Sequence, residues 1–312
     1  MPTPTAFFEG QFVPLAEAKI GVMTHAFNYG TAVFEGIRGN WNAEHNQLYL
    51  FKVRDHVARL LRSAKIMRLG VRYSEDELVD TISKLVELND YHEDIYVRPM
   101  VYKSEQVVGL RLHDLEEDAL VYVTPFGAYL DPDAGVRCMT SSWRRIDDTM
   151  IPARAKVNGL YVNNAMAKTE AQLNGFDEAI MLNMDGHVSE GSGENIVMVR
   201  HGRLISPPPA DNILEGITLD TALEIAQVEF GLDVERRSID RSELYIADEI
   251  FMTGTAAHVT PVVEVDRVPV GDGRPGEISR KLQQRYFDAI TGRVPEYADW
   301  LTPVYSDAAA RA

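Results

Sequence analysis

Short strand-like segments, separated by turn residues, are the feature that most limits how this chain can fold. Runs of alternating or β-branched residues occur at 47–53, 94–103 and 118–125, and each is bounded by polar or turn-forming residues. No apolar stretch approaches the roughly 18 residues that a membrane-spanning helix needs. The pattern therefore predicts a globular protein built around sheets and argues against insertion into a membrane.

Helical segments alternate with these strands. Apolar residues recur at helical spacing over 54–69, and Ser74 with Glu77 forms a capping box that opens a helix running to about Asn89. Further strands are predicted at 6–13, 18–23, 136–142, 178–184, 195–200, 203–206, 232–239, 249–253 and 261–270, and further helices at 159–174, 218–230 and 277–292. Thr218 is predicted to cap the second of these helices.

The order of these elements predicts an α+β protein of two domains. A stretch rich in turn formers at 127–135 is typical of a linker. We therefore expect an N-terminal α+β domain over 1–126 and a C-terminal domain over 136–312.

Charge and cysteine content exclude several classes of function. The 312 residues carry 31 basic and 47 acidic side chains, a net charge of −16, which argues against nucleic acid as a partner. The negative field also means that an anion site must be a local cluster of Arg, Lys and backbone N–H groups. A single cysteine, Cys138, excludes an intramolecular disulfide, and the start of the chain has no secretory signal pattern. We expect a cytoplasmic protein.

Several familiar motifs lack the context that they need. Residues 271–276 spell GxGxxG, but no strand and acidic residue follow at the spacing of a dinucleotide fold, and Pro275 removes an N–H group. We predict a surface turn there. The eight histidines form no metal-ligand pair and no GxSxG is present, so neither a metal site nor a serine nucleophile is expected.

Lys156 is the most informative of the eight lysines. It lies in a segment of small and apolar residues, 151–159, just before a predicted helix. Such neighbours could desolvate the ammonium, lower its pKa and favour a nucleophilic amine. A structural lysine at a helix start fits the same pattern.

Three later segments could work with Lys156. The run 188–195 places Glu190 among small residues, and 211–218 leads into a helix N-terminus, which is a natural seat for a phosphate. Residues 253–257 form a tight turn of small residues whose N–H groups could face an anion. Each segment taken alone also fits an ordinary turn or cap.

Together these segments resemble the fold-type IV pyridoxal-phosphate aminotransferases and, within that group, the branched-chain amino acid aminotransferases. The resemblance extends over about 7–292, in consistent order. The segments that carry it are 25–38 (HAFNYGTAVFEGIR), Asp55 to Arg59, Tyr96 to Pro99, Ser141 to Trp143, Lys156 to Asn164, Ser189 to Asn195, Gly216 to Thr218, and Ala247 to Ala257.

The resemblance implies a fold and a cofactor. It predicts a D-amino acid aminotransferase-like fold, with a small N-terminal α/β domain and a larger C-terminal α/β domain that holds a barrel-like sheet. The implied cofactor is pyridoxal 5′-phosphate. Lys156 would bind it covalently and move the proton between the substrate Cα and the cofactor C4′, while Glu190 would pair with the pyridine nitrogen. The other implied cofactor contacts are Tyr161 to the ring hydroxyl, and Arg59, Ile217, Thr218 and Thr255 to the phosphate.

The resemblance also implies substrates and a partner. The reaction would exchange the amino group between Leu, Ile or Val and 2-oxoglutarate, in a homodimer whose interface completes the side-chain pocket. The implied α-carboxylate contacts are Thr255, Ala256 and the Tyr96 hydroxyl held by Arg38; Arg98 would take the glutamate γ-carboxylate; and Phe34, Tyr29, Tyr129 and Val107 or Val108 would line the pocket.

Same-fold alternatives remain open at this point. They are a D-amino acid aminotransferase, an (R)-amine aminotransferase and an aminodeoxychorismate lyase. Leu219 departs from the family pattern, which usually has Arg or Lys after Gly216-Ile217-Thr218. We expect this side chain to point away from the cofactor.

Overall fold

The computed structural model describes residues 3–127 and 134–305, which fall into two compact units. The first unit combines 3–127 with two later segments, 155–159 and 288–305. The second unit is formed by the described residues of the rest, 134–154 and 160–287. Most of the predicted linker lies outside the described residues, so the predicted domain boundaries stay a prediction.

The helices and strands alternate along the chain in the manner of an α+β protein. Their bounds are β1 Thr5–Phe8, β2 Gln11–Pro14, α1 His25–Tyr29, β3 Ala32–Phe34, β4 Ile37–Asn42, β5 Gln47–Phe51, α2 Val53–Ile66, α3 Glu75–Asn89, β6 Ile95–Lys103, β7 Glu117–Pro125, β8 Val136–Thr140, α4 Tyr161–Leu173, β9 Glu178–Leu182, β10 Val188–Gly191, β11 Asn195–Arg200, β12 Arg203–Ser206, α5 Ile217–Val228, β13 Val234–Arg236, β14 Glu249–Gly254, β15 His258–Val265, β16 Val268–Pro269, α6 Glu277–Ile290 and β17 Leu301–Pro303. Short 3₁₀ turns connect several of them.

The sheet of the first unit is antiparallel, in the order β17-β5-β4-β6-β7-β1-β2, and β3 also pairs with β6. Helices α2 and α3 bury apolar residues such as Val57, Leu78 and Ile82 against strand residues such as Ile95. The predicted capping box at the start of α3 is confirmed, since Ser74 Oγ accepts from the Glu77 amide at 3.2 Å and a Glu77 carboxylate oxygen accepts from the Ser74 amide at 2.7 Å.

The sheet of the second unit has nine strands curled into a half-barrel, in the order β10-β9-β8-β15-β14-β11-β12-β13, with β16 beside β15. The pairs β8–β9, β8–β15 and β12–β13 are parallel and the others are antiparallel. Apolar residues of this sheet, among them Ile180, Ile196 and Met252, form its core. Helix α4 packs on β9, and α5 packs on β14 and β15. The predicted α+β class and the barrel-like sheet are confirmed.

Five local predictions were wrong. The predicted strand at 261–270 is the end of β15, a turn at Asp266 and Arg267 with positive φ values, and the antiparallel strand β16. The predicted strand at 6–13 is a hairpin, because Glu9 and Gly10 adopt positive φ values of 50° and 78° and reverse the chain. Residues 18–23 form no strand. Glu190 lies within a strand, β10, which pairs with β9 across the turn at Asp185-Gly186. Thr218 lies inside the first turn of α5, whose N-cap is Gly216.

The end of the described chain also holds an element that the sequence pattern did not reveal. Strand β17 is three residues long and adds to the edge of the first sheet through β5. Within 3–127 and 134–305, no helix combines the length and the apolar character needed to cross a membrane.

Candidate active site

Lys156 belongs to the first unit, where its main chain is fixed on both sides. Its carbonyl accepts from the Phe34 amide at 3.0 Å, and its own amide donates to Ser63 Oγ at 3.2 Å. Its Nζ lies 5.0 Å from the centre of the Phe34 ring. The segment 155–159 therefore holds the Lys156 amine beside β3 and α2.

A buried ion cluster lies next to Lys156 in the same unit. Glu35, which is fully buried, accepts from Arg59 Nε at 2.6 Å and from its Nη2 at 2.8 Å. His56 Nδ1 lies 2.8 Å from the second Glu35 oxygen. Burial would raise the pKa of Glu35, but the charge and hydrogen bonds of Arg59, with those of His56, hold it well below its ordinary value. Burial lowers the pKa of His56, and the charges of Arg59 and Lys156 act in the same direction.

Arg59 thus has a carboxylate partner that the sequence did not indicate. A guanidinium has five N–H donors, so pairing with Glu35 does not use its whole capacity to bind an anion. His56 Nε2 is buried and has no hydrogen-bond partner among the described residues. The charges of Arg59 and Lys156 both act on His56, so two cationic groups lie in this part of the first unit.

Strands β4 and β6 place Arg38 directly opposite Tyr96. The Tyr96 hydroxyl accepts from Arg98 Nη2 at 3.1 Å, whereas the resemblance gave this hydroxyl to Arg38. Arg38 Nη2 donates instead to the Gly127 carbonyl at 3.0 Å. Gly36 makes room for the tyrosine, because a Cβ there would lie 1.9 Å from the hydroxyl oxygen. The guanidinium of Arg98 stacks 4.3 Å from the centre of the Phe34 ring, so Phe34, Tyr96 and Arg98 form one group.

The first unit also brings Tyr29 close to the loop that follows β6. The Tyr29 hydroxyl accepts from the Gly109 amide at 3.2 Å, and His25 Nε2 lies 2.7 Å from the Gly109 carbonyl oxygen. Val108, beside Gly109, is 76% exposed. Tyr129, predicted to line the same pocket, lies outside the described residues.

Glu190 is the centre of a polar network in the second unit, where it is buried on β10. One of its oxygens pairs with Arg145 Nη2 at 2.7 Å. The other accepts from Asn195 Nδ2 and from the Leu214 amide, both at 2.9 Å. Donors of this kind favour a carboxylate over the neutral acid. Glu190 is thus buried and bound by donors from three segments, and its role toward the cofactor stays a prediction.

A second buried carboxylate, Glu194, follows in the same turn. One of its oxygens accepts from the Gly193 amide at 3.1 Å. Burial raises the pKa of Glu194 to about 8, and the neighbouring charge of Glu178 acts in the same direction. Burial and the charge of Glu178 thus both disfavour the carboxylate form of Glu194.

The segments predicted to bind anions lie at a helix start and at a strand turn of the second unit. The N-cap of α5 is Gly216, which has no side chain to cap the first N–H groups, those of Ile217 and Thr218 among them. Thr255 and Ala256 form the turn between β14 and β15, and Tyr161 begins α4. Near these segments, the hydroxyls of Ser189 and Thr253 are buried without a hydrogen-bond partner among the described residues.

The region 32–265 matches the family model described as amino-transferase class IV. The chain belongs to the class IV aminotransferase family. A probable branched-chain-amino-acid aminotransferase from Aquifex aeolicus is 49% identical over 300 residues, which is 96% of each chain. A branched-chain-amino-acid aminotransferase from Escherichia coli strain K12 is 38% identical over 302 residues, again 96% of each chain.

Solved structures of branched-chain aminotransferases are similar to this class IV aminotransferase over nearly its whole length. The enzyme from Thermoproteus uzoniensis with norvaline has a TM-score of 0.93 and 45% identity, covering 97% of this chain and 99% of that one. The PLP-form of the enzyme from Thermobaculum terrenum has a TM-score of 0.93 and 36% identity, covering 98% of this chain and 100% of that one. The predicted fold-type IV architecture is confirmed.

Several polar residues of this class IV aminotransferase were not indicated by the sequence. Glu35, Arg145, Asn164 and Asn195 each bond to a predicted site residue or to one of its partners. The sequence did hold a signal for Glu35, because it is an acidic residue in an otherwise apolar run. Among residues 3–127 and 134–305, no group of three or more His, Cys, Asp or Glu side chains is arranged to hold a metal ion.

The Glu35 cluster predicts a large, pH-dependent effect on stability. Glu35→Gln leaves the charge of Arg59 buried without its counter-ion, and we expect a loss of about 3–5 kcal/mol in the free energy of unfolding at pH 7. Because the pKa of Glu35 is lower in the folded state, its contribution is fully present above the ordinary carboxyl value of 4.5 and is lost as the pH falls below it. Urea unfolding at pH 7 and at pH 4 measures both effects.

Glu277→Gln is the matched control, since it removes an exposed carboxylate that pairs with Lys281 four residues later on α6. We expect no measurable change for it. A Glu35→Gln protein as stable as the wild type at pH 7 would contradict the prediction.

Proposed function

We propose that this protein is a branched-chain amino acid aminotransferase. It transfers the amino group of leucine, isoleucine or valine to 2-oxoglutarate, giving branched-chain 2-oxo acids and L-glutamate. The observation that carries the proposal is the near full-length similarity to enzymes of that name, at up to 49% identity. Pyridoxal 5′-phosphate is its cofactor.

The described residues fit this cofactor in each unit taken by itself. The first unit offers a lysine amine, the Arg59 guanidinium and a buried imidazole nitrogen without a partner among the described residues. The second offers the Glu190 carboxyl group paired with Arg145, an uncapped helix N-terminus and two buried hydroxyls that likewise lack a described partner. When bound, pyridoxal phosphate supplies an electron sink for the negative charge that develops at the substrate Cα.

In this proposal Lys156 holds the cofactor covalently and moves the proton at the substrate Cα. The fixed main chain of Lys156 and the position of its amine beside the Phe34 ring support the role of a nucleophile. Arg59 binds the phosphate through its guanidinium. The Arg59–Glu35 pair also fixes that guanidinium, so its orientation does not depend on the anion.

Residues of the second unit take the remaining cofactor roles. Glu190 would accept a hydrogen bond from the protonated pyridine nitrogen and so keep the proton on that nitrogen. Tyr161 would form a hydrogen bond with the ring hydroxyl. The phosphate receives the N–H groups of Ile217 and Thr218 and the hydroxyls of Thr218 and Thr255. Leu219 is fully buried in the second unit, which supports a packing role for this departure from the family pattern.

Substrate recognition divides between charge and apolar surface. Thr255 and Ala256 give N–H groups to the α-carboxylate, together with the Tyr96 hydroxyl. Arg38 supports this part of the sheet from the position opposite Tyr96. Phe34, Tyr29 and Val108 give the apolar wall of the side-chain pocket, and Arg98 provides a cation for the γ-carboxylate of glutamate.

A substrate screen separates this function from the same-fold alternatives. The purified holoenzyme is mixed with single L-amino acids, D-amino acids and (R)-amines, and the cofactor absorbance is followed. We expect conversion with L-leucine, L-isoleucine, L-valine and L-glutamate. Lys156→Ala should fold and bind the cofactor weakly but show no conversion. Conversion with D-amino acids or (R)-amines alone, or a fully active Lys156→Ala protein, would contradict the proposal.

Arg98 should distinguish the two kinds of substrate. An unpaired γ-carboxylate in an apolar pocket costs several kcal/mol, whereas a charge-assisted hydrogen bond contributes about 1.5–3 kcal/mol. We therefore expect Arg98→Met to lower kcat/KM for glutamate by about 10- to 100-fold and to change that for leucine far less. Equal losses with both substrates would instead assign Arg98 to the α-carboxylate or to general structure.

We also propose that the enzyme is a homodimer and works in the cytoplasm. Around Tyr29 the first unit exposes a set of large apolar residues, with exposed fractions of 66–84%: Val22, Phe27, Val108 and Leu110. An exposed apolar surface of this kind is typical of an interface. The absence of disulfide-forming cysteine pairs in the sequence supports a reducing compartment.

Sedimentation measures the oligomeric state directly. We expect the wild type to sediment at twice the chain mass and Leu110→Glu to shift towards the monomer, because the substitution places a charge within the apolar set. Val228→Glu, at a residue that is 73% exposed at the end of α5 in the second unit, is the control and should not change the mass. A monomeric wild type would overturn the proposed dimer.

A further inference from the structure

Arg145 is a buried arginine to which the sequence gave no role. It lies in the segment after β8, is 3% exposed, and its amide donates to the Leu182 carbonyl at 2.8 Å. Its guanidinium donates in three directions. Nε bonds to the Asn212 carbonyl at 3.1 Å, Nη1 to the Asn164 side-chain oxygen at 2.8 Å, and Nη2 to Glu190 at 2.7 Å.

Each of these acceptors lies on a different segment. Asn164 is on α4, three residues after Tyr161 at the helix start, and Glu190 is on β10. Asn212 adopts a positive φ of 62° in the loop that leads to the N-terminus of α5. One guanidinium therefore connects the segments that carry the second unit's proposed contacts to the cofactor ring and phosphate.

A further bond completes the network. Asn164 Nδ2 donates to the Ser192 carbonyl at 2.7 Å, in the turn that follows Glu190. Asn195 donates both to Glu190 and to the Leu214 carbonyl, at 2.9 and 2.8 Å. The carboxylate is thus bound by Arg145, by Asn195 at the start of β11 and by the Leu214 amide before α5, and Asn164 of α4 acts on it only through Arg145. Glu194, 4% exposed, is the other carboxyl group close to it.

We propose that Arg145 is a positioning residue for the cofactor, which holds Glu190 as an oriented carboxylate and fixes α4, β10 and the 211–216 loop in one arrangement. The inference rests on the proposed role of Glu190. The planar fork of an arginine can donate to three acceptors in fixed directions, whereas the ammonium of a lysine is a compact point charge. The proposed role needs both the positive charge and the planar donor geometry. Arg145→Lys keeps the charge and removes the geometry, so it separates the two contributions.

The test uses the holoenzyme of the wild type, Arg145→Lys and Glu190→Gln, and of the double variant. The first readout is a pH titration of the cofactor absorbance without substrate. The second is kcat and KM for the leucine half-reaction. We expect Arg145→Lys to shift the absorbance midpoint and to lower kcat by about 10- to 100-fold, with KM for leucine changed far less. In the Glu190→Gln background the same substitution should have a much smaller effect, because Arg145 acts through Glu190.

Arg237→Lys is the matched control. Like Arg145, Arg237 pairs with a carboxylate of the second unit. Its Nη1 and Nη2 donate to the two oxygens of Glu243, both at 2.8 Å. We expect it to lower the melting temperature slightly and to leave the absorbance titration and kcat unchanged. An Arg145→Lys protein that behaves like this control, with only a lower melting temperature, would overturn the proposal, as would equal effects in the two Glu190 backgrounds.

Asn164→Ala keeps the test decisive if Arg145→Lys does not fold. It removes one acceptor of the guanidinium and leaves the Arg145–Glu190 pair in place. A several-fold fall in kcat with a shifted absorbance midpoint supports the proposal, and an unchanged enzyme overturns it. The absorbance titration needs no amino acid, so a wild type that binds the cofactor but does not convert leucine would overturn the proposed substrate and leave the Arg145 result interpretable.

Discussion

Each unit of this protein buries a carboxylate against a guanidinium, and the local arrangement of the proposed site follows from that pairing. A charge taken out of water needs a partner and further hydrogen bonds, or the cost exceeds what packing can offset. Glu35 meets this requirement with Arg59 and His56, and Glu190 meets it with Arg145, Asn195 and a backbone amide. Since the partners come from different segments, satisfying the charge also fixes where those segments lie.

The two pairs solve different chemical problems with the same physics. In the first pair, the Glu35 carboxylate orients the Arg59 guanidinium, which keeps donors available for an anion. In the second pair, Arg145 stabilises the carboxylate form of Glu190, which is buried on a strand. The neighbouring Glu194 has a single described hydrogen-bond donor, the Gly193 amide, and a raised pKa of about 8. The two carboxyls, four residues apart, thus differ in the number and charge of the donors that stabilise their ionised forms.

Periodicity and capping were sufficient to predict most helices and strands. The capping box at Ser74 and the long alternating strands β6 and β7 appear where the pattern places them, because local propensity and burial agree there. The failures at Glu9-Gly10 and at β10 are short segments, in which positive φ values or a hairpin register outweigh a weak local pattern. Strand β17 is three residues long and forms only because the edge of β5 is available.

The candidate site shows a similar division. Lys156, Glu190 and the 216–218 and 253–257 segments carry recognisable chemistry in their residue types and neighbours. Arg145 and Asn164 do not, because their roles depend on acceptors 45 and 28 positions away along the chain. Arg98 rather than Arg38 bonds to the Tyr96 hydroxyl. Both arginines share a face of the sheet with Tyr96, so spacing does not decide between them and the choice depends on side-chain conformation.

The first unit is built from segments that lie far apart in the chain, and this affects how it folds during synthesis. Its sheet begins with residues 5–8, but one edge is closed by residues 301–303, and residues 155–159 also belong to this unit. The ribosome therefore delivers all the strands of the second sheet before the last strand of the first. During synthesis, β5 presents an unpaired edge until the final segment emerges, and such an edge can pair with another chain. The sheet of the first unit is therefore completed only at the end of synthesis. Until then, the open edge of β5 leaves the nascent chain exposed to misassociation.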